Sequence, residues 1–393
     1  PDEGRRFRTR TALKIPKGES EGCSEKECPF FVSYERIGIP RMKKTGDIIH
    51  RRSLWFGILL PAVLGVLLYF LRLIPEIAEY VFARGITRWL TDMLTCLTNW
   101  IPFSAAEFLL CLLPFALFGS LIYCGLRGGI RRFVRLLAGV LALLLWGLCL
   151  FEVLFVMQFG RVRLEDRLGY DTDHITAEEL YACAVWMRDR AEELSPQIRY
   201  TEDGYSLWEE TTTLAESNQA ILEVSYDRSF REVNEVLGLS LSETRVRPKA
   251  IFFSEPFSYT GILGIYIPFT GEANLNMAAP SFVVAVSAAH EQMHQKGYSR
   301  EDEANFLSIQ ACLADSHVYM RYSGALYAFR YLYNALYRAD QQLYGKLIED
   351  TSETLLRELR YYNDWILDHQ NQVTTFTNQV NDTYLRASGG EGT

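Results

Sequence analysis

Two histidines and the glutamate between them are the residues of this chain best suited to chemistry. His290 and His294 are four positions apart, so on a helix both imidazoles lie on one face and can reach one metal ion. Glu291 follows the first histidine, where its carboxylate can take a proton from a metal-activated water. Two neutral imidazoles suit zinc, so the pattern predicts a zinc site with Glu291 as general base.

The motif stands out against the composition of the chain. Only six of the 393 residues are histidine, and a chance His-Glu-x-x-His is expected in at most about one such chain in a hundred. The alternative is a pair of surface histidines on an amphipathic helix. Residues 282–289, directly before the motif, are uncharged and mostly apolar. They predict a buried helix that presents the motif, which argues against that alternative.

A turn after the motif must bring a third ligand back to the metal. Gly297 can end the helix in a left-handed conformation. Ser299 can cap the next helix, with Asp302 standing three residues later as in a capping box. Two helices joined by this turn would return one carboxylate to the histidines.

Two acids in that second helix are candidates for the third ligand. Glu301 is favoured because Asn305 shares its helical face, and Asn305 can hold a ligating histidine in one tautomer. Glu303 lies on a different face and is the competitor. Both acids can instead belong to a solvated first turn, where carboxylates complement the helix dipole.

The pattern from His290 to Asn305 resembles that of the gluzincin metallopeptidases. In that clan a Glu is the third ligand, with Asp or Asn four residues later, as at Glu301 and Asn305. The Glu-x-x-Ala-Asn form is similar to membrane-embedded prenyl-protein proteases and to proteases that cleave phage repressors. The resemblance implies peptide-bond hydrolysis with Zn2+ as cofactor. The gap from His294 to Glu301 is shorter than in most gluzincins, so Glu303 stays open as the alternative.

A wider region, roughly residues 50–335, resembles an uncharacterised bacterial family. Those proteins have three amino-terminal spans, a Pro-Phe-Thr-Gly-Glu-Ala-Asn segment, here residues 268–274, and then the motif helix. The resemblance implies a multi-pass protein of the bacterial cell membrane with a peptide or protein substrate.

Further residues are candidates for substrate binding. In gluzincins an edge strand beside the active-site helix binds the substrate backbone, and residues 264–274, with Glu272 and Asn274, are the candidate here. The same segment can simply pack the domain. Tyr298 and Tyr322 can donate to an oxyanion. Packing is the plainer role for either, since the chain has 22 tyrosines.

Three long apolar runs predict membrane spans. They cover residues 53–71, 108–126 and 136–160. A helix of nineteen residues extends roughly 28 Å, which is close to the thickness of a bilayer core. Basic residues precede the first run and fill the link between the second and third, namely Lys43, Lys44, Arg51, Arg52, Arg127, Arg131, Arg132 and Arg135. They predict a cytoplasmic amino terminus and an extracytoplasmic carboxyl-terminal domain.

The predicted architecture is mainly α: three transmembrane helices and then a mostly helical, zincin-like domain with a small β element. Residues 1–52 are a polar basic tail, of which 1–41 are expected to be a non-native extension or disordered. Residues 53–160 form the membrane domain and 161–393 the soluble domain. In the latter, Thr176 and Glu179 predict a capping box for a helix over 175–194. Cys183 and Cys312 can pair if this domain is exported, but the sequence leaves that open.

The charge distribution and the apolar runs favour some classes of function and argue against others. The first 52 residues carry a net charge of +5 and the remainder −13, so the acidic bulk speaks against nucleic-acid binding. The lipid bilayer is the partner that the apolar runs require. The main alternative to a peptidase is a non-catalytic scaffold or sensor that keeps a structural zinc site. Glu291 argues against it, because a structural site needs no general base. A transporter is a third hypothesis, but three spans are few to form a transport path.

Overall fold

The computed structural model describes residues 55–127, 129–172 and 174–388, which belong to one compact unit. The predicted tail over residues 1–52 lies outside these described residues. The described chain is mainly helical with small sheets, and it includes three helices of membrane length. The predicted mainly α architecture, with three membrane-length helices and a small β element, is therefore confirmed.

Three helices are long and apolar enough to cross a membrane. Only 17%, 0% and 6% of their most apolar windows are buried inside the protein, so these helices are not core helices of a soluble domain. Apolar surface of this extent needs lipid around it. The helices are α1 (Leu60–Arg72, preceded by the π-helical turn Trp55–Leu59), α3 (Ala105–Arg127) and α4 (Ile130–Leu154).

The third span ends earlier than the sequence predicted. Helix α4 stops at Leu154, and the 3-10 helix Val156–Gly160 follows, with all four of its side chains buried in the protein. Gly160 lies against the end of the first span, where an added Cβ would stand 2.1 Å from the carbonyl oxygen of Arg72. The prediction of a span to residue 160 is wrong because these last apolar residues fill protein core and not lipid.

The link between the first two spans is helical and packs on the later part of the chain. A π-helical segment, Ile77–Ile86, continues as α2 (Thr87–Thr98). One face of α2 is a stripe of four buried threonines. Thr95 Oγ1 donates to the carbonyl oxygen of Gly271 at 2.8 Å, and Thr98 Oγ1 to that of Thr270 at 3.1 Å. The stripe thus fixes the link to the sheet beside the motif helix.

Helices form most of the remaining chain. They are α5 (Leu164–Leu168), α6 (Ala177–Leu194), α7 (Leu214–Leu222), α8 (Asp227–Val236), α9 (Ser254–Ser258), α10 (Ser281–Gln295), α11 (Glu301–Leu313), α12 (Val318–Ala339), α13 (Gln341–Glu349), α14 (Glu353–His369) and α15 (Gln372–Ser388). The predicted capping box of Thr176 and Glu179 is present at the start of α6. Every residue of α10 except His290 is buried, so the motif helix is the centre of the core, as its apolar lead-in predicted.

The strands are short and form two small sheets. A hairpin pairs β1 (Arg199–Tyr200) with β2 (Ser206–Leu207). The second sheet has the order β3-β5-β4, with β3 (Lys249–Ala250) parallel and β4 (Gly264–Ile267) antiparallel to β5 (Glu272–Leu275). Strand β4 is thus an edge strand beside α10. Cys183 is exposed, Cys312 is buried, and both thiols are free.

A buried carboxylate links α14 to the β1–β2 hairpin and to α12. Glu358 is 1% exposed. Its carboxylate accepts hydrogen bonds from the Ser206 amide at 3.1 Å and from the hydroxyls of Ser206 and Tyr322. Burial raises the pKa of Glu358 to about 7, although these hydrogen bonds act to lower it. The group is therefore protonated in the folded chain over a pH range in which it is ionised in the unfolded chain.

Glu358 should make stability depend on pH. Because the folded state binds the extra proton, its contribution is complete below pH 4.5 and is lost as the pH rises through about 7. Glu358→Gln should remove this loss. Relative to the wild type, the variant should gain roughly 3 kcal/mol of unfolding free energy between pH 4.5 and 8, measured by fluorescence-detected unfolding in detergent. Glu349→Gln, at an exposed position of α13, is the control. Parallel pH profiles for all three proteins would contradict this prediction.

Candidate metal centre

Two imidazoles and one carboxylate converge where α10 and α11 meet. One ligand atom from each of His290, His294 and Glu301 lies within 4.8 Å of the others. The Nε2 atom of His290 is 3.2 Å from Glu301 Oε2, and the Nε2 atom of His294 is 3.6 Å from Glu301 Oε1. The structure therefore brings together the three residues predicted as metal ligands.

The turn between the two helices contains the predicted glycine. A side-chain hydrogen bond that the sequence did not predict holds this turn in place. Gly297 has φ +104°, in the left-handed region, and its amide donates to the carbonyl oxygen of His294 at 3.1 Å. Ser299 does not cap α11, so that prediction is wrong. Its Oγ donates to the carbonyl oxygen of Phe155 at 3.0 Å, and Arg300 is the N-cap residue without a side-chain cap. The hydroxyl is already used to hold the end of the third span.

The hydrogen bonds of His294 prepare its outer nitrogen for a metal. Its Nδ1 is 2.7 Å from the carbonyl oxygen of Tyr298. A carbonyl oxygen only accepts, so Nδ1 carries the proton and the Nε2 lone pair faces Glu301. Burial lowers the pKa of His294 to about 4, and the ring is neutral at pH 7.

In the other two predicted ligands, His290 and Glu301, the charge of each group shifts the pKa of the other. Burial acts to lower the pKa of His290, but the hydrogen bond and charge of Glu301 raise it, with smaller contributions from Glu291 and Asn305. Within the described residues, the buried Nδ1 atom of His290 forms no hydrogen bond. Burial acts to raise the pKa of Glu301, but both imidazoles lower it to about 2. The carboxylate is therefore ionised at neutral pH.

These distances fit zinc. Two ligands that are each about 2.0–2.1 Å from a tetrahedral zinc ion are about 3.3 Å apart. Each imidazole has one oxygen of the Glu301 carboxylate near this separation: Oε2 is 3.2 Å from His290 Nε2, and Oε1 is 3.6 Å from His294 Nε2. A set of two imidazoles and one carboxylate is also a donor set that zinc takes in hydrolytic sites, with a fourth position left open.

Glu291 stands beside the cluster and under the edge strand. It is 5% exposed, and burial raises the pKa of its carboxyl group to about 7, against the charge of His290. An added Cβ on Gly264 of β4 would lie 2.8 Å from both the Cγ and the Oε1 atoms of Glu291. Only a glycine at that point of β4 leaves room for the carboxylate, a position suited to a general base.

Three other residues predicted for the site have side chains that contact other parts of the protein. The carboxylate of Glu303 accepts from the amide of Leu164 at 2.8 Å and lies 3.8 Å from the guanidinium of Arg300, so it faces α5. The hydroxyl of Tyr322 donates to the buried Glu358. The ring of Tyr298 packs under the guanidinium of Arg161 at 4.7 Å. Tyr298 thus contacts the cluster through its carbonyl oxygen and not through its phenol.

Glu272 and Asn274 shape the sheet. The carboxylate of Glu272 accepts from the amides of Ala105 and Ala106 at 3.1 and 2.9 Å and so caps the second span. The side-chain amide of Asn274 donates to the carbonyl oxygens of Ile265 and Glu272, each at 3.2 Å. Its Oδ1 atom is buried without a hydrogen-bond partner among the described residues.

Comparison with known protein families identifies the family of this chain. The family described as protein of unknown function, DUF3810, matches residues 82–393, which includes the second and third spans and the whole cluster. The chain belongs to the DUF3810 family. No curated protein matches the chain. No solved structure matches it. Peptidase activity therefore stays a prediction for this DUF3810 protein.

Sequence reasoning missed two residues of the DUF3810 site. Gly264 is the first residue of the predicted substrate-binding segment, but nothing nearby in the sequence showed that its missing Cβ makes room for Glu291. Phe155 was hidden inside the predicted third span, yet its ring is 5.7 Å from the His294 ring. Both contacts join residues far apart in the chain, so local pattern carries no signal for them.

The geometry predicts which glutamate binds the metal. Detergent-purified protein should contain about one zinc per chain by elemental mass spectrometry. Glu301→Gln should lose most of that zinc, because the substitution removes the charge that both imidazoles face. Glu303→Gln, a matched change two residues away, should keep it. Equal zinc loss in the two variants, or no zinc in wild type after zinc is supplied, would contradict the assignment.

Proposed function

We propose that this protein is a membrane-anchored, zinc-dependent peptidase. The observation that carries the proposal is the convergence of His290, His294 and Glu301 with the Glu291 carboxylate beside them. A zinc site that serves only folding has no use for a buried carboxylate next to its ligands. Burying Glu291 costs free energy, and a catalytic role explains why the site keeps it.

The residues divide the work of hydrolysis among them. When bound by His290, His294 and Glu301, zinc supplies Lewis acidity that activates water and polarises a peptide carbonyl. The Glu291 carboxylate takes one proton from the attacking water while the water oxygen bonds to the carbonyl carbon. As the carbon–nitrogen bond breaks, Glu291 gives that proton to the leaving amine.

Strand β4 is suited to hold the substrate backbone. In the part of the chain that the structure describes, β4 pairs only with β5, which leaves its other edge without a strand partner. An extended peptide can add to such an edge through main-chain hydrogen bonds. Glu291 packs against Gly264, at one end of β4. A bound peptide bond would therefore lie next to the general base.

The arrangement of the spans supports an extracytoplasmic location in a bacterial cell membrane. Helix α4 leads directly to the cluster through Phe155, and the start of α3 is capped by Glu272 of the sheet. The short link between α3 and α4, with Arg132 and Arg135 after it, is at the other end of both helices. Under the positive-inside rule we expect that link to be cytoplasmic and the cluster to be outside.

Removing the general base tests the proposal. Zinc-loaded wild type should cleave peptides in a randomised library, detected by mass spectrometry. Glu291→Gln should lower the cleavage rate by about 10²–10⁴-fold with zinc content unchanged, because only the proton acceptor is lost. Full activity of this variant would contradict the assigned role. An inert wild type with zinc in place would favour the scaffold alternative.

Gly264 gives a second test. Gly264→Ala would place a Cβ 2.8 Å from Glu291 Oε1 and Cγ, so the carboxylate must move. We expect kcat/KM to fall at least about tenfold with zinc retained, since a shift of about 1 Å in a catalytic group can cost up to 10² in rate. Gly345→Ala is the matched control, because its added Cβ meets nothing within 4 Å. Equal activities of the two variants would show that β4 does not press on the base.

A further inference from the structure

The cluster lies directly beyond the end of the third span. Helix α4 ends at Leu154, and the ring of the next residue, Phe155, is 5.7 Å from the His294 ring. The carbonyl oxygen of Phe155 accepts from Ser299 in the turn that positions Glu301. A single residue thus separates the last residue of a membrane span from the predicted zinc ligands.

The β4–β5 hairpin connects the cluster to the ends of two spans. At one end of β4, Gly264 lies against Glu291. At the hairpin's other end, Glu272 caps the first residues of the second span, and the Phe269 ring is 6.1 Å from Phe151 inside the third span. Four strand residues extend about 10 Å from first to last. The edge of β4 therefore runs about that distance from the general base to the level of the span ends.

Exposed aromatic side chains mark the same level. Trp100 and Phe252 are 89% and 84% exposed, and Phe103 and Phe253 are also exposed. The amides of Phe252 and Phe253 donate to the carboxylate of Glu107, in the first turn of the second span, at 2.8 and 3.1 Å. Aromatic residues next to the end of a span sit at the lipid headgroups. The bilayer surface thus passes beside the sheet that holds β4.

A peptide along the open edge of β4 would have one end at the bilayer surface. For a water-soluble peptide, that end would have to enter the headgroups. A polypeptide with its own membrane span already passes through the headgroups where it leaves the bilayer, so it needs no such insertion. Confinement to the same membrane also raises its effective concentration at the site.

From this geometry we infer that the substrate is a polypeptide anchored in the same bilayer by its own transmembrane helix. The bond cut lies within roughly five residues of the helix end, because β4 covers only about 10 Å. The inference rests on the proposed peptidase function and adds the class of substrate.

The test compares one randomised segment with and without an anchor. The anchored probe is a leucine-rich helix of about 20 residues followed by a randomised segment of about 20 residues. It is inserted with the full zinc-loaded chain into lipid nanodiscs, and the control is the randomised segment alone, added to the same nanodiscs. We expect at least about tenfold faster cleavage of the anchored probe. The cuts should cluster next to the helix, and Glu291→Gln should abolish them.

The outcomes separate the two proposals. Equal cleavage of the two probes, or cuts spread evenly along the anchored one, would overturn the inference about the anchor and leave the peptidase function standing. If wild type cuts neither probe while zinc is bound, the peptidase function fails and this inference fails with it.

A second measurement does not depend on turnover. In the Glu291→Gln background, a photo-crosslinking phenylalanine derivative replaces Ile265 on β4, or Val236, which is 77% exposed on α8, as the control position. Position 265 should capture the anchored probe at least about tenfold more than the free segment. Equal capture of both probes at position 265, or equal capture of the anchored probe at both positions, would overturn the inference.

Discussion

The site depends on one turn, which must bring the Glu301 carboxylate within reach of both imidazoles of α10. Gly297 gives the turn its left-handed residue, but contacts from the membrane part hold it. Arg161, just after the third span, donates to the carbonyl oxygen of Gly297 at 2.5 Å and forms an ion pair with Glu79 of the first link at 2.5 Å. Ser299 adds its bond to Phe155. The segments that directly follow the first and third membrane helices therefore help to position the cluster.

The burial of α10 is costly in a way that stability alone does not explain. Besides its apolar residues, this core helix carries Glu291 and His294, and Lys296 follows its last turn, all buried. Lys296 is satisfied by the carbonyl oxygens of Ser242 and Thr244, at 2.9 and 3.1 Å. A helix selected only for packing would have apolar residues at these positions. Of these groups, Glu291 and His294 are directed at the same cluster, as is typical of functional sites.

The sequence predicted the parts of this site that depend on local spacing. The two histidines, the turn at Gly297 and the buried helix before the motif follow from helical periodicity and glycine geometry. The spacing to Asn305 also favoured Glu301 but left Glu303 open, and the structure separates the two acids because the Leu164 amide takes the Glu303 carboxylate. The early end of the third span and the partner of Ser299 likewise depend on contacts between distant segments. Local sequence pattern thus predicted which residue types form the site. Contacts between distant segments determine which of the candidate residues takes part.

The central claim is that one zinc ion is held by two imidazoles and one carboxylate at this turn. X-ray absorption at the zinc edge of the purified, zinc-loaded chain measures that coordination directly. The account predicts four or five nitrogen and oxygen neighbours at about 2.0–2.1 Å, two of them with the outer-shell scattering of imidazole, and no sulfur. A sulfur neighbour at about 2.3 Å, or a shell without imidazole, would place zinc at another site and contradict the account.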